Sequence, residues 1–257
     1  MDKQKIVKNF SQYAGYYDYY CYIQNKCAVK LLRILDKDKN FLKILEPGCG
    51  TGNYTLLLKK RFPSSQITAF DISPEMIEIA QNKIKKSVKD NSINFYIKDA
   101  EKIKFKEQFD LITSNAVFQW IEDIKSLFEK YKNLLTDRGV FTFSIFGPET
   151  FKELQTSLYL YDKKLQINSS GFKNKEEIYT ILKSIFDKVY IKEESVQVKY
   201  LFFPDLLQAI KYTGTRGDIN TNIFWTKEIL NNIGKIYNNT FGEIVATYQV
   251  FFCKIIK

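Results

Sequence analysis

The chain of 257 residues is 45% hydrophobic and 16% aromatic, enough to bury a sizeable core, and it carries a formal charge of +10 without a single histidine. That absence removes Ser-His-Asp triads, histidine general bases and histidine-ligated metals. The four cysteines (Cys21, Cys27, Cys49, Cys253) show no C-x-x-C pair and no zinc spacing, so no metal site is expected.

No stretch approaches the roughly 20 apolar residues that span a bilayer. Met1-Asp-Lys-Gln-Lys leads into no signal-like apolar region, so a cytoplasmic chain with free thiols is expected, away from any membrane. Only four of the 39 basic residues are arginines (Arg33, Arg61, Arg138, Arg216). The lysine excess reads either as a solvated surface or as attraction to an acidic partner. With no arginine-rich segment and no basic stripe interleaved with aromatics, nucleic acid is not the expected partner.

In chain order, residues 3–36 carry Ile6, Phe10, Tyr13, Tyr17, Tyr20, Ile23, Cys27, Leu31 and Ile34 at helical spacing, a helical extension placed before the first strand. Strands are expected at 41–46, 66–71, 93–97, 109–114 and 139–146, with a helix at 51–62. Another helix opens on Ser73 as N-cap with Pro74 at its first position. Ile124, Leu127, Phe128, Tyr131, Leu134 and Leu135 mark the helix before the fifth strand. Beyond Pro148 the pattern predicts helices at 149–162, 174–186, 203–213 and 226–237, a strand near 188–198, and a last strand at 243–256 as its hairpin partner. Strands alternating with helices point to an α/β fold with a doubly wound, mainly parallel sheet. With no long linker and no repeat, 1–257 reads as one domain: an N-terminal helical lid (1–36), a core (41–148), and a substrate lid with the final strands (149–257).

The most informative segment is Lys43-Ile-Leu-Glu-Pro-Gly-Cys-Gly-Thr-Gly-Asn-Tyr-Thr55. A strand ends in Glu46, then turns through Gly48, Gly50 and Gly52 into a helix, and the second strand also ends in a carboxylate, Asp71. An acid there can accept hydrogen bonds from both hydroxyls of a ribose. A dinucleotide fingerprint would put glycine where Asn53 stands, and no G-x-x-x-x-G-K-[ST] loop is present to cradle phosphates. The pattern resembles the E/D-x-G-x-G-x-G loop of the Rossmann-like class I S-adenosylmethionine methyltransferases.

That resemblance implies cofactor contacts. Gly48, Gly50 and Gly52 would line the methionine part and Glu46 would help hold its amino group. Asp71 would bind the ribose. Ile72 and Met76 would sandwich adenine, unless they are core. Asp99 suits the exocyclic amine, unless it sits in a surface turn, and Ala100 would line the ring. Ser114-Asn-Ala-Val-Phe-Gln-Trp120 would face the transferable methyl, with Ser114 beside the cofactor. No proline lies between residues 75 and 147, so the Asp/Asn-Pro-Pro-Tyr/Phe motif of nucleobase amine methylases is absent.

Phe10-Ser-Gln-Tyr-Ala14, Tyr17-Asp18, Ser114–Trp120, Phe146-Gly-Pro-Glu-Thr-Phe-Lys-Glu-Leu154, Leu206–Gly214 and Tyr248-Gln-Val-Phe-Phe252 together resemble the malonyl-acyl-carrier-protein O-methyltransferases of biotin synthesis. The resemblance implies methyl esterification of the free carboxylate of a malonyl thioester, carried by an acidic acyl carrier protein or by coenzyme A. It also implies that Tyr17 and Gln119 or Trp120 shape the acceptor pocket, that Lys211 or Arg216 meets the substrate carboxylate, and that the carrier docks on residues 150–220. Competing readings are methylation of a small soluble carboxylate or a quinone precursor, and RNA methylation.

Overall fold

Strands rich in apolar residues alternate with amphipathic helices, a pattern that favours a parallel sheet covered on both faces. The computed structural model describes residues 3–36, 39–88, 91–214 and 226–257. Strands β1 (Lys43–Pro47), β2 (Gln66–Asp71), β3 (Ile93–Ile97), β4 (Phe109–Asn115) and β5 (Leu135–Phe146) run parallel. With β6 (Lys188–Tyr200) and β7 (Ile244–Ile256) the sheet order is β3-β2-β1-β4-β5-β7-β6. The order reverses between β1 and β4, and ligands of such sheets sit outside the strand carboxyl ends at that reversal.

The helices are α1 (Lys3–Tyr20), α2 (Tyr22–Ile34), α3 (Asn53–Arg61), α4 (Pro74–Ser87), α5 (Ile124–Leu134), α6 (Lys152–Tyr161), α7 (Lys175–Lys183), α8 (Phe203–Tyr212) and α9 (Lys227–Phe241). Helix α4 starts as its sequence dictates: Ser73 Oγ accepts the Met76 N–H at 3.2 Å with Pro74 in the first turn.

One strand boundary needs correction, and two expectations gain detail. The stretch 3–36 is helical as expected, as two helices that break at Cys21: α1 lies on α4 and α8, whereas α2 packs on α3. Strand β5 begins at Leu135 rather than 139. Leu135 pairs with Phe109, and the ladder resumes at Leu111 and Val140 after an irregularity that includes Arg138 at φ 65°. The last strand pairs antiparallel with the strand before it, as expected, from Lys188–Ile256 to Tyr200–Ile244, with α8 and α9 between them in the chain. Strand β7 slots between β5 and β6 because it is buried along almost its whole length, while β6, at the sheet edge, alternates between half-buried and exposed residues. Among the described residues, no helix is long and apolar enough to cross a membrane.

Candidate functional site

The glycine loop is shaped by the space available as much as by its turn. Gly48 has φ 67°, and a Cβ on it would lie 2.3 Å from Val117 Cγ2, in the loop that follows β4. Glycine is therefore needed there for both backbone and packing reasons. At Gly52 a Cβ would meet Ala80 of α4 at 3.1 Å, so the third glycine serves helix packing. Between them, the Gly50 N–H donates to Asp71 Oδ2 at 2.9 Å, and the Ser73 N–H donates to Oδ1 at 3.0 Å. Two amides thus hold the Asp71 carboxylate in one orientation at the end of β2.

Around this carboxylate lies a narrow cavity of about 100 Å³. Of the residues singled out from sequence, Tyr17, Gly48, Gly50, Asp71, Ile72, Met76, Asp99, Ala100 and Trp120 all line it. Others stand behind the wall. Glu46 is buried at the end of β1, Gly52 packs on α4, and Ser114 Oγ donates to the Pro47 carbonyl at 2.8 Å, tying β4 to β1. Gln119 is turned to the backbone, its Nε2 donating to the Ala116 carbonyl at 2.8 Å while Oε1 is buried without a partner. Lys211 lines a different cavity, its ammonium 5.1 Å from the Tyr13 ring centroid and 5.3 Å from that of Tyr212. Arg216 lies outside the described residues.

Sequence reasoning gave no site role to Lys3, Ile6, Phe10 and Ile121, which also line the cavity, as do Asn115 and Val117 of the segment expected to face the methyl group. The spacing of Lys3, Ile6, Phe10 and Tyr17 on one face of α1 was the available signal. Polar ties fasten the helix along its length. Lys3 Nζ pairs with Asp99 Oδ2 at 2.9 Å and with Glu101, the Ser11 and Ser73 hydroxyls are 2.9 Å apart, and Asp18 accepts from Thr51, Asn53 and Lys83.

The electrostatics separate three roles. Burial raises the Asp71 carboxyl above its usual range, while the amides of Ser73, Gly50 and Ile72 pull it back. Burial pushes Glu46 up to about 8; the Thr55 hydroxyl beside it offsets part of this, and the Asp71 charge adds to it. Glu46 Oε2 is left with no hydrogen-bond partner, an orphaned buried acceptor beside the glycine loop that suits a cationic group. Burial, with Cys21, Asp71 and Asp18 nearby, lifts the Tyr17 hydroxyl well above its ordinary value, so it stays protonated.

A second cavity of about 820 Å³ opens between α6, α8 and α9 at the ends of β5 and β7. Its wall includes Phe172, which meets Trp120 of the first cavity edge to face, ring centroids 5.7 Å apart.

Residues 38–186 match the family model of the methyltransferase domain. Among solved structures, the YcgJ protein of Bacillus subtilis shares the fold at TM-score 0.62 with 16% identity, over 90% of this chain and 97% of that one. The phosphoethanolamine N-methyltransferase 2 of Haemonchus contortus, solved with S-adenosyl-L-methionine, does so at 0.59 with 18% identity, over 94% of this chain and 56% of that one. Three curated relatives are named malonyl-acyl-carrier-protein O-methyltransferase. The first, from Ilyobacter polytropus, is 36% identical over 95% of this chain and 89% of its own length. Those from Acetivibrio thermocellus (35%, covering 98% and 93%) and Bacillus anthracis (32%, covering 100% and 98%) are similar over equally long stretches. On this full-length likeness, with the methyltransferase-domain match and the acid-anchored glycine loop, the chain belongs to the malonyl-acyl-carrier-protein O-methyltransferase family.

Proposed function

We propose that this protein transfers the methyl group of S-adenosylmethionine to the free carboxylate of a malonyl group held as a thioester on an acyl carrier protein, in the cytoplasm, yielding the methyl ester used to start biotin precursor synthesis. The observation that carries the reading is Asp71, fixed by the Gly50 and Ser73 amides on the wall of a cavity floored by a glycine loop. When bound, S-adenosylmethionine supplies an electrophilic methyl carbon on a positively charged sulfur.

The chain's own residues do the rest. Asp71 accepts from the ribose hydroxyls, Ile72 and Met76 flank the adenine, and Asp99 faces its amine beside Ala100. Glu46, behind the loop, provides the counter-charge for the amino group. Gly48 and Gly50 leave the backbone bare for the methionine part, while Gly52 and Ser114 hold the loop and β4 in place. Tyr17 and Trp120 close the cavity where the acceptor oxygen arrives, and Gln119 braces the turn that carries Trp120.

No general base is required, because a malonyl carboxylate is ionised near neutral pH. A protonated Tyr17 in a histidine-free chain is consistent with that. Charge is neutralised as the anion meets the sulfonium, so a dry cavity favours the transition state over the separated ions. Holding the reacting atoms in line at ~3–3.5 Å is the remaining task, and such positioning can supply ~7–11 kcal/mol. The chain acts as one domain: β6 and β7, from the 149–257 part, complete the sheet begun by residues 41–148.

The test is incubation with labelled S-adenosylmethionine and, separately, malonyl-carrier protein, malonyl-CoA, free malonate and RNA. One methyl should be gained on the carrier thioester. Asp71→Ala should weaken cofactor binding ~10–100-fold, the cost of losing charge-assisted hydrogen bonds. Label on free acids alone, or on RNA, would refute the reading.

A further inference from the structure

The second cavity is too large for the job so far assigned to the acceptor site. A malonyl head has three carbons, whereas about 820 Å³ lies open here, within the ~300–1,000 Å³ that buries whole extended ligands. The wall changes character with depth. Phe151, Leu154, Leu158 and Ile233 form a buried apolar floor, while the exposed carboxamides of Gln208, Asn231 and Asn238 stand at the rim. Two lysines join the rim: exposed Lys235, and Lys211, which lies over the Tyr13 and Tyr212 rings. Asp205, also on this wall, is engaged in capping α8, accepting the Phe202 N–H at 3.0 Å. The Trp120–Phe172 contact is where this cavity adjoins the smaller one.

We propose that the larger cavity seats the arm of the acceptor thioester, an extended pantetheine-type chain, and that the Trp120–Phe172 pair partitions it from the site of methyl transfer. The inference rests on the reading that the acceptor is a carrier-held thioester, and it assigns that substrate its second binding site. Such an arm alternates methylene segments with amides. The methylenes match the apolar wall, and the amides match the carboxamide rim, where each can both donate and accept. Its outer end, anionic where a phosphodiester joins it to the carrier, emerges beside Lys211 and Lys235, toward an acidic carrier. A free dicarboxylic acid leaves most of this volume empty, so the arm supplies binding energy that the small acid lacks.

The test compares malonyl-pantetheine with the truncated malonyl-N-acetylcysteamine on the full-length protein. Binding energy from a remote part of a substrate appears in kcat/KM. The wild type should therefore favour the longer thioester by about tenfold or more. Leu207→Trp, which fills the cavity from α8, should bring the ratio of the two substrates toward one. Asn231→Ala, at the exposed rim where folding is not at stake, should move it in the same direction by less. Equal kcat/KM for the two thioesters in the wild type, or a ratio that neither variant moves, overturns the arm site while leaving methyl transfer intact. Methylation of neither thioester overturns the thioester reading, and the arm site with it.

Discussion

Asp18 of α1 accepts a hydrogen bond from the Thr51 hydroxyl at 2.6 Å, tying the helix that lines the smaller cavity to the glycine loop that lines it from the other side. The same carboxylate accepts from Asn53 Nδ2 at 3.0 Å and from Lys83 Nζ at 2.7 Å. It is therefore one anchor for three groups of the nucleotide-binding core. At the other end of α1, Lys3 grips Asp99 and Glu101.

Asp18→Ala should speed cofactor dissociation, because the lid loses its anchor at the glycine loop. The Asp18 side chain is 39% exposed, and exposed ion pairs contribute only ~0–1 kcal/mol to stability. The change should thus appear mainly in binding. Competition stopped-flow with the demethylated cofactor should show dissociation several-fold faster, beside a urea midpoint that barely moves. An unchanged rate with a large stability loss would make the anchor purely structural.

Glu46 should make stability fall with pH. Its folded value of about 8 stands above the ordinary 4.5. The folded protein therefore keeps this proton over a range in which the unfolded chain has released it. Relative to Glu46→Gln, the wild type should hold its full stability below about pH 4.5 and lose it progressively toward pH 8. The greatest slope is about 1.4 kcal/mol per pH unit. Asp71, Cys49 and Tyr54 are the titratable groups that interact with it. The difference between the two proteins, measured by urea unfolding from pH 5 to 8, isolates Glu46 from them. Saturating cofactor should flatten the fall, because its amino group favours the ionised carboxyl. Parallel pH curves would remove Glu46 from the site.

Features written in local chemistry were legible in the sequence. Gly48, Gly50 and Asp71 could be placed because a strand that ends in an acid, or turns through glycines, leaves the chain few options. Ser73 and Pro74 announced α4 for the same reason. Features that depend on distant segments meeting were not legible. Nothing near Lys3 says that α1 will fold back onto Asp99, 96 residues away. Nothing near Asn115 says that its Nδ2 will find the Gln24 carbonyl at 2.9 Å. Only the family resemblance pointed to Gln119 or Trp120 in the acceptor pocket, and the short turn over Phe118–Trp120 directs the Gln119 amide back to Ala116. Strand β7 was recognised as a strand, but its place between β5 and β6 follows from its two buried faces, which only the assembled sheet reveals.

Gly48 and Val117 should prove energetically coupled. A Cβ at Gly48 would lie 2.3 Å from Val117 Cγ2 and 2.8 Å from Cγ1. Gly48→Ala therefore incurs two separable costs. Crowding in a packed interior costs ~1–3 kcal/mol, and a side chain at φ 67° adds ~1–2 kcal/mol of backbone strain. Val117→Ala removes the methyl groups in the way but leaves the backbone unchanged, so it should relieve the first cost and spare the second. In a double-mutant cycle read by urea unfolding, Val117→Ala should be destabilising alone and less so, or stabilising, beside Gly48→Ala. A coupling of ~0.5–3 kcal/mol is expected for side chains in direct contact. The double variant should still fall short of the parent protein by roughly the strain term. Strict additivity would mean that the loop after β4 moves freely away from the glycine turn, and that the two do not jointly shape the cofactor cavity.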